Sequence, residues 1–402
     1  MVAKRQKFLI ALAGLIALGL NACATADAQR GAQSAGPVAT PIGAGSTSDT
    51  GPQPNQPVMP PPLRPGERPP QFVVFSWDGA AEDGNAQFSR FLEVGRQHKV
   101  PQTFFLTGLY VLPESNRNQY APPKNPVGSS AIGWVSDETV HRTIQLVGTA
   151  WLEGHEIGTH FNGHYCGSKG GDHWSEQDWT TEINEFKKFA TSWRTNTGRT
   201  DLPSWPFDIN KEVVGGRPPC LQGQKTLLPA AKKAGFRYDA SSAGGRQIWP
   251  RKKEGLWNFE LQSIPVGDGK QTLSMDYNIM YTQSKDNTKG DPAKHDQWRG
   301  EATQAFRAGL NRAYYGNRAP LFIGNHFEQW NGGIYMDAVE TSMIEMCSKP
   351  EVHCVTFRQL ADWLDGQDPA LLDRLGTVNV GKVGDWPAPP PTASGKASAV
   401  AS

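Results

Sequence analysis

Between Gln71 and Leu364, short apolar runs of strand length alternate with segments whose apolar residues recur at helical spacing. This alternation restricts the fold more than any other property of the chain, because strands separated by helices pair in parallel and bury both faces of their sheet. Gln71–Trp77 (QFVVFSW), Thr103–Gly108 (TFFLTG), Glu156–His160, Phe236–Asp239, Trp257–Pro265, Leu321–His326 and His353–Phe357 read as strands. Between them, Phe88, Phe91 and Leu92 mark a helix, and Ser136 precedes another carrying Val140, Ile144, Val147 and Trp151. Ser175 with Asp178 reads as a capping box for a helix bearing Ile183, Phe186 and Trp193. Further helices are expected at Lys225–Ala234, Glu301–Tyr314, Met336–Met346 and Arg358–Leu364. The expected architecture is α/β, with a parallel sheet closed or nearly closed into a barrel. Asp78, His160, Asp239 and His326 all fall at or just past the C-terminal end of an expected strand, the rim at which barrels of this kind place their chemistry.

The segment GHEIGTHFNGH sets His160 and His164 four residues apart just after a strand end, a spacing that lets two neutral imidazoles reach one divalent cation. Upstream, FVVFSWDG ends on Asp78; downstream lie Arg217 in an Arg-Pro-Pro and His326 at the end of LFIGNH. Together these point to metal-assisted hydrolysis. His155 and Glu156 flank the histidine pair and are read as supporting it, and Asp276 in SMDYN is a polar candidate without an assigned role.

The chain ends bound the domain. Lys4, Arg5 and Lys7 followed by the apolar run Phe8–Leu20 read as an export signal over residues 1–28. Leu20-Asn21-Ala22-Cys23 resembles a lipobox that would leave a lipid-modified Cys23, whereas Ala26-Asp27-Ala28 offers a cut that would free a secreted protein. Residues 29–70, rich in Gly, Pro, Ser and Ala, are expected to be a disordered tether, residues 71–375 the folded domain, and residues 376–402 a disordered tail. Lys plus Arg (40) nearly balance Asp plus Glu (39), so no global field recruits nucleic acid, and membrane contact is expected only through a lipid anchor.

Apart from Cys23, the cysteines are Cys166, Cys220, Cys347 and Cys354. In an oxidising compartment an even set implies disulfides. Cys347–Cys354 would close a short loop between a helix and a strand, which leaves Cys166–Cys220. None of these residues has CxxC spacing, which argues against a Cys-rich zinc site.

In this order the motifs resemble those of the NodB-like polysaccharide deacetylases, carbohydrate esterase family 4, over about residues 71–365. The resemblance implies a distorted (β/α)7-type barrel and a divalent metal, zinc by default with cobalt or nickel as alternatives. It also implies removal of acetyl groups from an N- or O-acetylated glycan such as chitin, peptidoglycan or a related polysaccharide. Aligned on the family pattern Thr-Phe-Asp-Asp-Gly, Ser76-Trp77-Asp78-Gly79 makes Asp78 the general base and puts Gly79 where a metal-binding Asp belongs. In the other register Asp78 is itself the metal ligand. Glu82 or Asp83 could fill the vacant acidic role. His160 and His164 would hold the metal, Arg217 the catalytic carboxylate, and His326, polarised by Asp239, would protonate the leaving group. The loss of one acidic residue keeps a second reading open, a catalytically impaired carbohydrate-binding lipoprotein.

Overall fold

The computed structural model describes residues 40–267 and 269–386. The export signal, the Cys23 lipobox and residues 29–39 of the expected tether lie outside the described residues, as do residues 387–402 of the expected tail.

The central strand β1 (Gln71–Asp78) is buried along its whole length. Its parity is set by the period of 2: Val73, Phe75 and Trp77 face the helical layer, while Phe72 and Val74 join Phe105, Tyr238, Phe259, Phe322 and Phe357 inside the barrel. Ser76 and Asp78 continue the inner row toward the mouth. Strands β2 (Thr103–Leu106), β3 (Glu156–Thr159), β4 (Gly215–Gly216), β5 (Tyr238–Asp239), β6 (Leu256–Asn258) and β7 (Leu321–His326) complete a parallel sheet in the order β7-β1-β2-β3-β4-β5-β6. Val352–Cys354 pairs in parallel with the start of β1, and Arg251–Lys253 runs antiparallel beside β6.

Leu261–Val266 lies in a separate sheet between Ala243–Gly245 and Lys270–Leu273. The single strand expected over Trp257–Pro265 is therefore two: the chain leaves the barrel at Phe259, whose ring fills the interior, and re-forms in the smaller sheet. That sheet reaches back to β7 where Gly324 N–H donates to Ser274 O at 2.9 Å. The parallel sheet curls into a half-barrel, and among the described residues its end strands do not pair with each other.

Helices α1 (Gln87–His98), α2 (Asp137–Leu152), α3 (Glu176–Thr197), α4 (Gln224–Lys233), α5 (Asp276–Ser284), α6 (His295–Tyr314), α7 (Trp330–Cys347) and α8 (Phe357–Asp365) supply the outer layer. Their starts follow the sequence signals. Ser136 Oγ accepts from Thr139 N, and Ser175 with Asp178 forms a complete capping box. Thr356 and Gln359 form another, so the strand expected to run to Phe357 stops at Cys354. None of the described helices is long and apolar enough to cross a membrane.

Residues 40–70 depart from the expected tether. Thr40–Ile42 and Thr47–Asp49 form a hairpin, and Ser46, Thr47 and Ser48 are buried. Ser48 Oγ donates to Trp205 O (2.6 Å), Gln53 Nε2 to Trp151 O (2.8 Å) and Asn55 Nδ2 to Leu152 O (2.8 Å). A segment poor in apolar residues is ordered here because it satisfies carbonyls exposed at the end of α2 and around Trp205, a contribution that composition does not register. The start of the expected tail is also packed. Asn317 Nδ2 donates to Val378 O (3.3 Å), and Trp386 lies against the inner core. Both expected disulfides form, Cys166–Cys220 and Cys347–Cys354, with Cα separations of 6.1 and 5.6 Å.

Candidate active site

The C-terminal ends of β7, β1, β2, β3 and β4 meet at one mouth, where β7 and β1 pair His326 with Asp78 in register. A cavity of about 230 Å³ opens there, and its lining includes Asp78, Gly79, Asp83, Thr107, Tyr110, His160, His164, His326 and Glu328. Most of its chemistry is fixed from below by Arg217, which is fully buried. Its guanidinium stands 5.0 Å from the Phe105 ring centroid, and its Nη1 donates to Asp78 Oδ1 (2.7 Å) and to Ser76 Oγ (2.9 Å). Gly324 makes room for it, since a Cβ there would stand 3.2 Å from Arg217 Nη1 and 2.7 Å from Met275 Cε. Burial alone would push the Asp78 carboxyl up, but Arg217 above all, with His326, outweighs it and holds Asp78 below the ordinary carboxylate range.

The second oxygen of Asp78 faces His326 Nε2 at 4.0 Å. The other ring nitrogen, Nδ1, donates to Asp276 Oδ1 (2.8 Å), and the His326 backbone N–H donates to Asp276 Oδ2 (2.7 Å). Burial works against the imidazolium, yet Asp276 and Asp78 prevail and raise His326 to about 9. At neutral pH the mouth therefore holds an ionised Asp78 beside a protonated His326.

The expected partner of His326 is thus corrected. Asp239 does not polarise it; both Asp239 oxygens accept from Ser241 Oγ at 2.7 Å, and burial raises its carboxyl to about 6. Asp276 takes the role instead. Asp276 carries no strand-end signal, because it begins a helix that only the smaller sheet brings to β7. Its one available signal was a buried-type acid directly before an aromatic in SMDYN.

His160 Nδ1–H donates to Arg217 O (2.7 Å), which leaves Nε2 free, and burial lowers its pKa to about 3, so the ring is neutral. His164 is lowered in the same direction and also by burial, and the two ring centroids lie 5.3 Å apart. The pair offers two corners of a metal site. Among the described residues, however, the only three His, Cys or carboxylate ligand atoms within 4.8 Å of one another belong to His164, Cys166 and Cys220. Both of those sulfurs are committed to the disulfide. His160, His164 and Asp78 therefore do not form a closed ligand set, and Asp78, spent on Arg217 and His326, is better placed as a base than as a ligand. A catalytic zinc site takes three protein ligands, so the residues present fit a metal only in part.

Neither proposed substitute completes the set. Glu82 is buried and accepts from Ser89 N (3.1 Å) and Ser89 Oγ (2.6 Å) at the start of α1, away from the cavity lining. Asp83 lines the cavity but accepts from Asn85 N (2.8 Å). His155 and Glu156, expected to support the site, lie at the opposite end of β3. His155 Nδ1 accepts from Gln102 N (3.0 Å), and Glu156 accepts from Tyr238 Oη (2.8 Å), Thr103 Oγ1 (2.9 Å) and Arg358 N (2.9 Å). Thr107 was not singled out from sequence. Among the described residues its buried hydroxyl has no hydrogen-bond partner, beside the cavity that Thr107 helps to line.

No family model matches the sequence, and no curated protein matches it. The chain is similar to a solved structure of a proposed polysaccharide deacetylase from Mycobacterium smegmatis, at 18% identity and TM-score 0.46, over 76% of this chain and 93% of that one. It is also similar to a family 4 carbohydrate esterase from Streptomyces lividans in complex with acetate, at 13% identity and TM-score 0.37, over 72% and 94%. A family 4 pseudoenzyme from Bacillus anthracis overlaps at 13% identity and TM-score 0.38, over 80% and 71%. Overlaps this loose do not say what the chain does; its own side chains must.

Proposed function

We propose that this chain is an exported carbohydrate deacetylase that hydrolyses acetyl groups on a glycan. The observation that carries the reading is the row Arg217–Asp78–His326–Asp276, an ionised carboxylate and an imidazolium held 4.0 Å apart across one cavity. Acetyl transfer to water needs both. Asp78, kept ionised by Arg217, takes a proton from water as it attacks the acetyl carbonyl carbon. His326, kept protonated by Asp276, gives its proton to the departing amine or alkoxide as the bond to the acyl carbon breaks, leaving acetate and the free sugar. Each of these proton transfers is typically worth about 10²–10⁴-fold in rate. The ligand set is incomplete, and both proton transfers are carried by these side chains; His160 and His164 would hold any zinc, cobalt or nickel, which metal analysis of the purified protein tests.

Acetate release from an N-acetylglucosamine hexamer and from acetylated xylan tests the reading. We expect release by the native chain and a loss of about 10²-fold or more in Asp78→Asn; no acetate from either glycan would sink the enzyme. Gly79 in place of an acid favours the second reading, an impaired glycan-binding relative, which the same experiment would then support if the hexamer binds without turnover. The lipobox reading makes the protein a cell-envelope lipoprotein, and mass spectrometry of the mature N-terminus would show diacylglyceryl on Cys23 or a cut after Ala28.

A further inference from the structure

The cavity at the mouth, about 230 Å³, is smaller than the roughly 300–1,000 Å³ usual for sites that enclose a ligand. It has room for an acetyl group and part of the sugar bearing it, so the remainder of any glycan must lie on the surface outside. On one side of His326 that surface is aromatic. Tyr277 and Tyr281, four residues apart and so on one face of α5, are 36% and 51% exposed. The Trp330 ring lies 5.5 Å from His326 and 5.7 Å from Tyr277, with Tyr277 6.4 Å from Tyr281.

The two tyrosines are not core, whereas Trp330 is half-buried and packs in part against the main core. α5 buries Asp276, Ile279 and Met280 and leaves both tyrosines outside. Trp330 is held beside His326 by a turn in which Asn331, Gly332 and Gly333 are all left-handed (φ 52°, 76° and 83°). Among the described residues, neither the Tyr281 hydroxyl nor the Trp330 indole N–H has a protein hydrogen-bond partner, so both polar ends are free for a ligand. The planes meet at 66° between Tyr277 and Trp330, which makes a corner rather than a flat shelf. Aromatic faces and edges of this kind suit a pyranose, whose C–H face is apolar and whose rim is hydroxylated. Asp83 and Glu328 line the mouth while Lys285 Nζ stands 6.0 Å from the Tyr281 ring centroid, so neither sign of charge dominates and the surface is not built to select a polyion.

We propose that Tyr277, Tyr281 and Trp330 form a subsite for the next sugars of an uncharged pyranose chain leaving the cavity. This rests on the deacetylase reading for where the reacting sugar sits, but its test does not depend on turnover.

In an Asp78→Asn background, which slows any hydrolysis by about 10²-fold or more, calorimetry compares an N-acetylglucosamine hexamer with the single sugar. The hexamer should bind more tightly, and Trp330→Ala or Tyr281→Ala should cut that advantage roughly tenfold each, the equivalent of one stacked ring. Trp330→Phe, which keeps a ring, should restore most of it and shows that loss in the alanine variant is not misfolding. A hexamer advantage unchanged in both alanine variants, or no hexamer binding at all, overturns the subsite. So does a uronate-containing oligosaccharide of equal length that binds as tightly. If the hexamer binds through these rings while the native chain releases no acetate, the subsite stands and the deacetylase reading falls.

Discussion

Two residues at the mouth decide how the site should respond to pH and to metal. Asp276 sets the charge of His326. With Asp78 ionised across the ordinary range and His326 raised to about 9, kcat/KM should hold a plateau through neutrality and fall as pH rises through about 9. Asp276→Asn removes the charge that outweighs burial, so the alkaline limb should move down by about 2 units or more and activity at neutral pH should drop. A pH–rate profile in which the limb stays in place would show that some other group donates the proton. The sign of the stability term follows the same shift. A histidine raised on folding stabilises fully below its unfolded value of about 6.5, and that contribution is lost as pH climbs through about 9. Gly79 sets the metal question. Its φ is 66°, and a Cβ there would meet Tyr110 Cε2 at 3.5 Å, Thr107 Oγ1 at 3.7 Å and Tyr110 Oη at 3.8 Å, all ordinary contacts, so a side chain fits if the backbone strain is borne. Asp tolerates that region better than most residues, at about 1 kcal/mol. Gly79→Asp should therefore convert the two-imidazole site into one that retains stoichiometric cobalt through dialysis, read by absorption spectroscopy. The native chain should lose it.

At the level of elements, the turn from His160 to His164 depends on a residue buried in the middle of α3. Phe161 and His164 both have positive φ (59° and 55°), a conformation that L-residues hold only when surroundings insist. Glu182 supplies that insistence. It accepts from Asn162 N (3.0 Å) and from Tyr120 Oη (3.2 Å), and Tyr120 Oη in turn accepts from Gly163 N (2.9 Å). Burial raises Glu182 to about 7. The folded protein thus binds a proton there that the unfolded chain has released, and stability falls as pH rises from about 4.5 to about 7. Glu182→Gln should abolish that slope, measured by urea unfolding across the interval, and should cost roughly 1–2 kcal/mol at acid pH through the acceptor it loses. A wild-type slope retained in the variant would place the titration elsewhere. The sequence made α3 and its capping box plain, because both are local. It could not show that Glu182, at an apolar-face position of that helix, reaches the histidine turn, since pairing at such distance depends on how the layers pack. Asp276 was obscured for the same reason: it meets His326 only because Ser274 pairs with Gly324, a closure between two sheets that no periodicity encodes. Asp78 and His326, by contrast, were legible as strand-end residues that strand pairing then brought to one mouth, whereas Arg217 was legible only through its Arg-Pro-Pro, the two-residue strand before it being too short to read from sequence.

Across the whole molecule, composition misled most at the N-terminal edge, where a segment rich in Pro, Gly and Ser was expected to be loose. The stretch from Thr40 to Pro70 instead runs along the domain as a strap. It works through hydrogen bonds rather than apolar area, closing carbonyls at the end of α2, around Trp205 and, through Pro60 O, accepting from Trp363 Nε1 at 3.0 Å. Carbonyls at a helix C-terminus have no partner inside the helix, so a strap that donates amide N–H groups there substitutes for water while shielding the apolar residues beneath. Such bonds contribute about 0.5–1.5 kcal/mol each. A chain beginning at Gln71 should therefore fold to the same barrel but lose on the order of 3–5 kcal/mol, seen as a thermal midpoint lower by at least about 5 °C. The mouth lies at the opposite ends of the strands from the Gln53 and Asn55 contacts, so acetate release at low temperature should survive the truncation even as its heat resistance falls. An unchanged midpoint would mean that these contacts are made at no net gain over solvent, and that the strap rides on the domain without holding it.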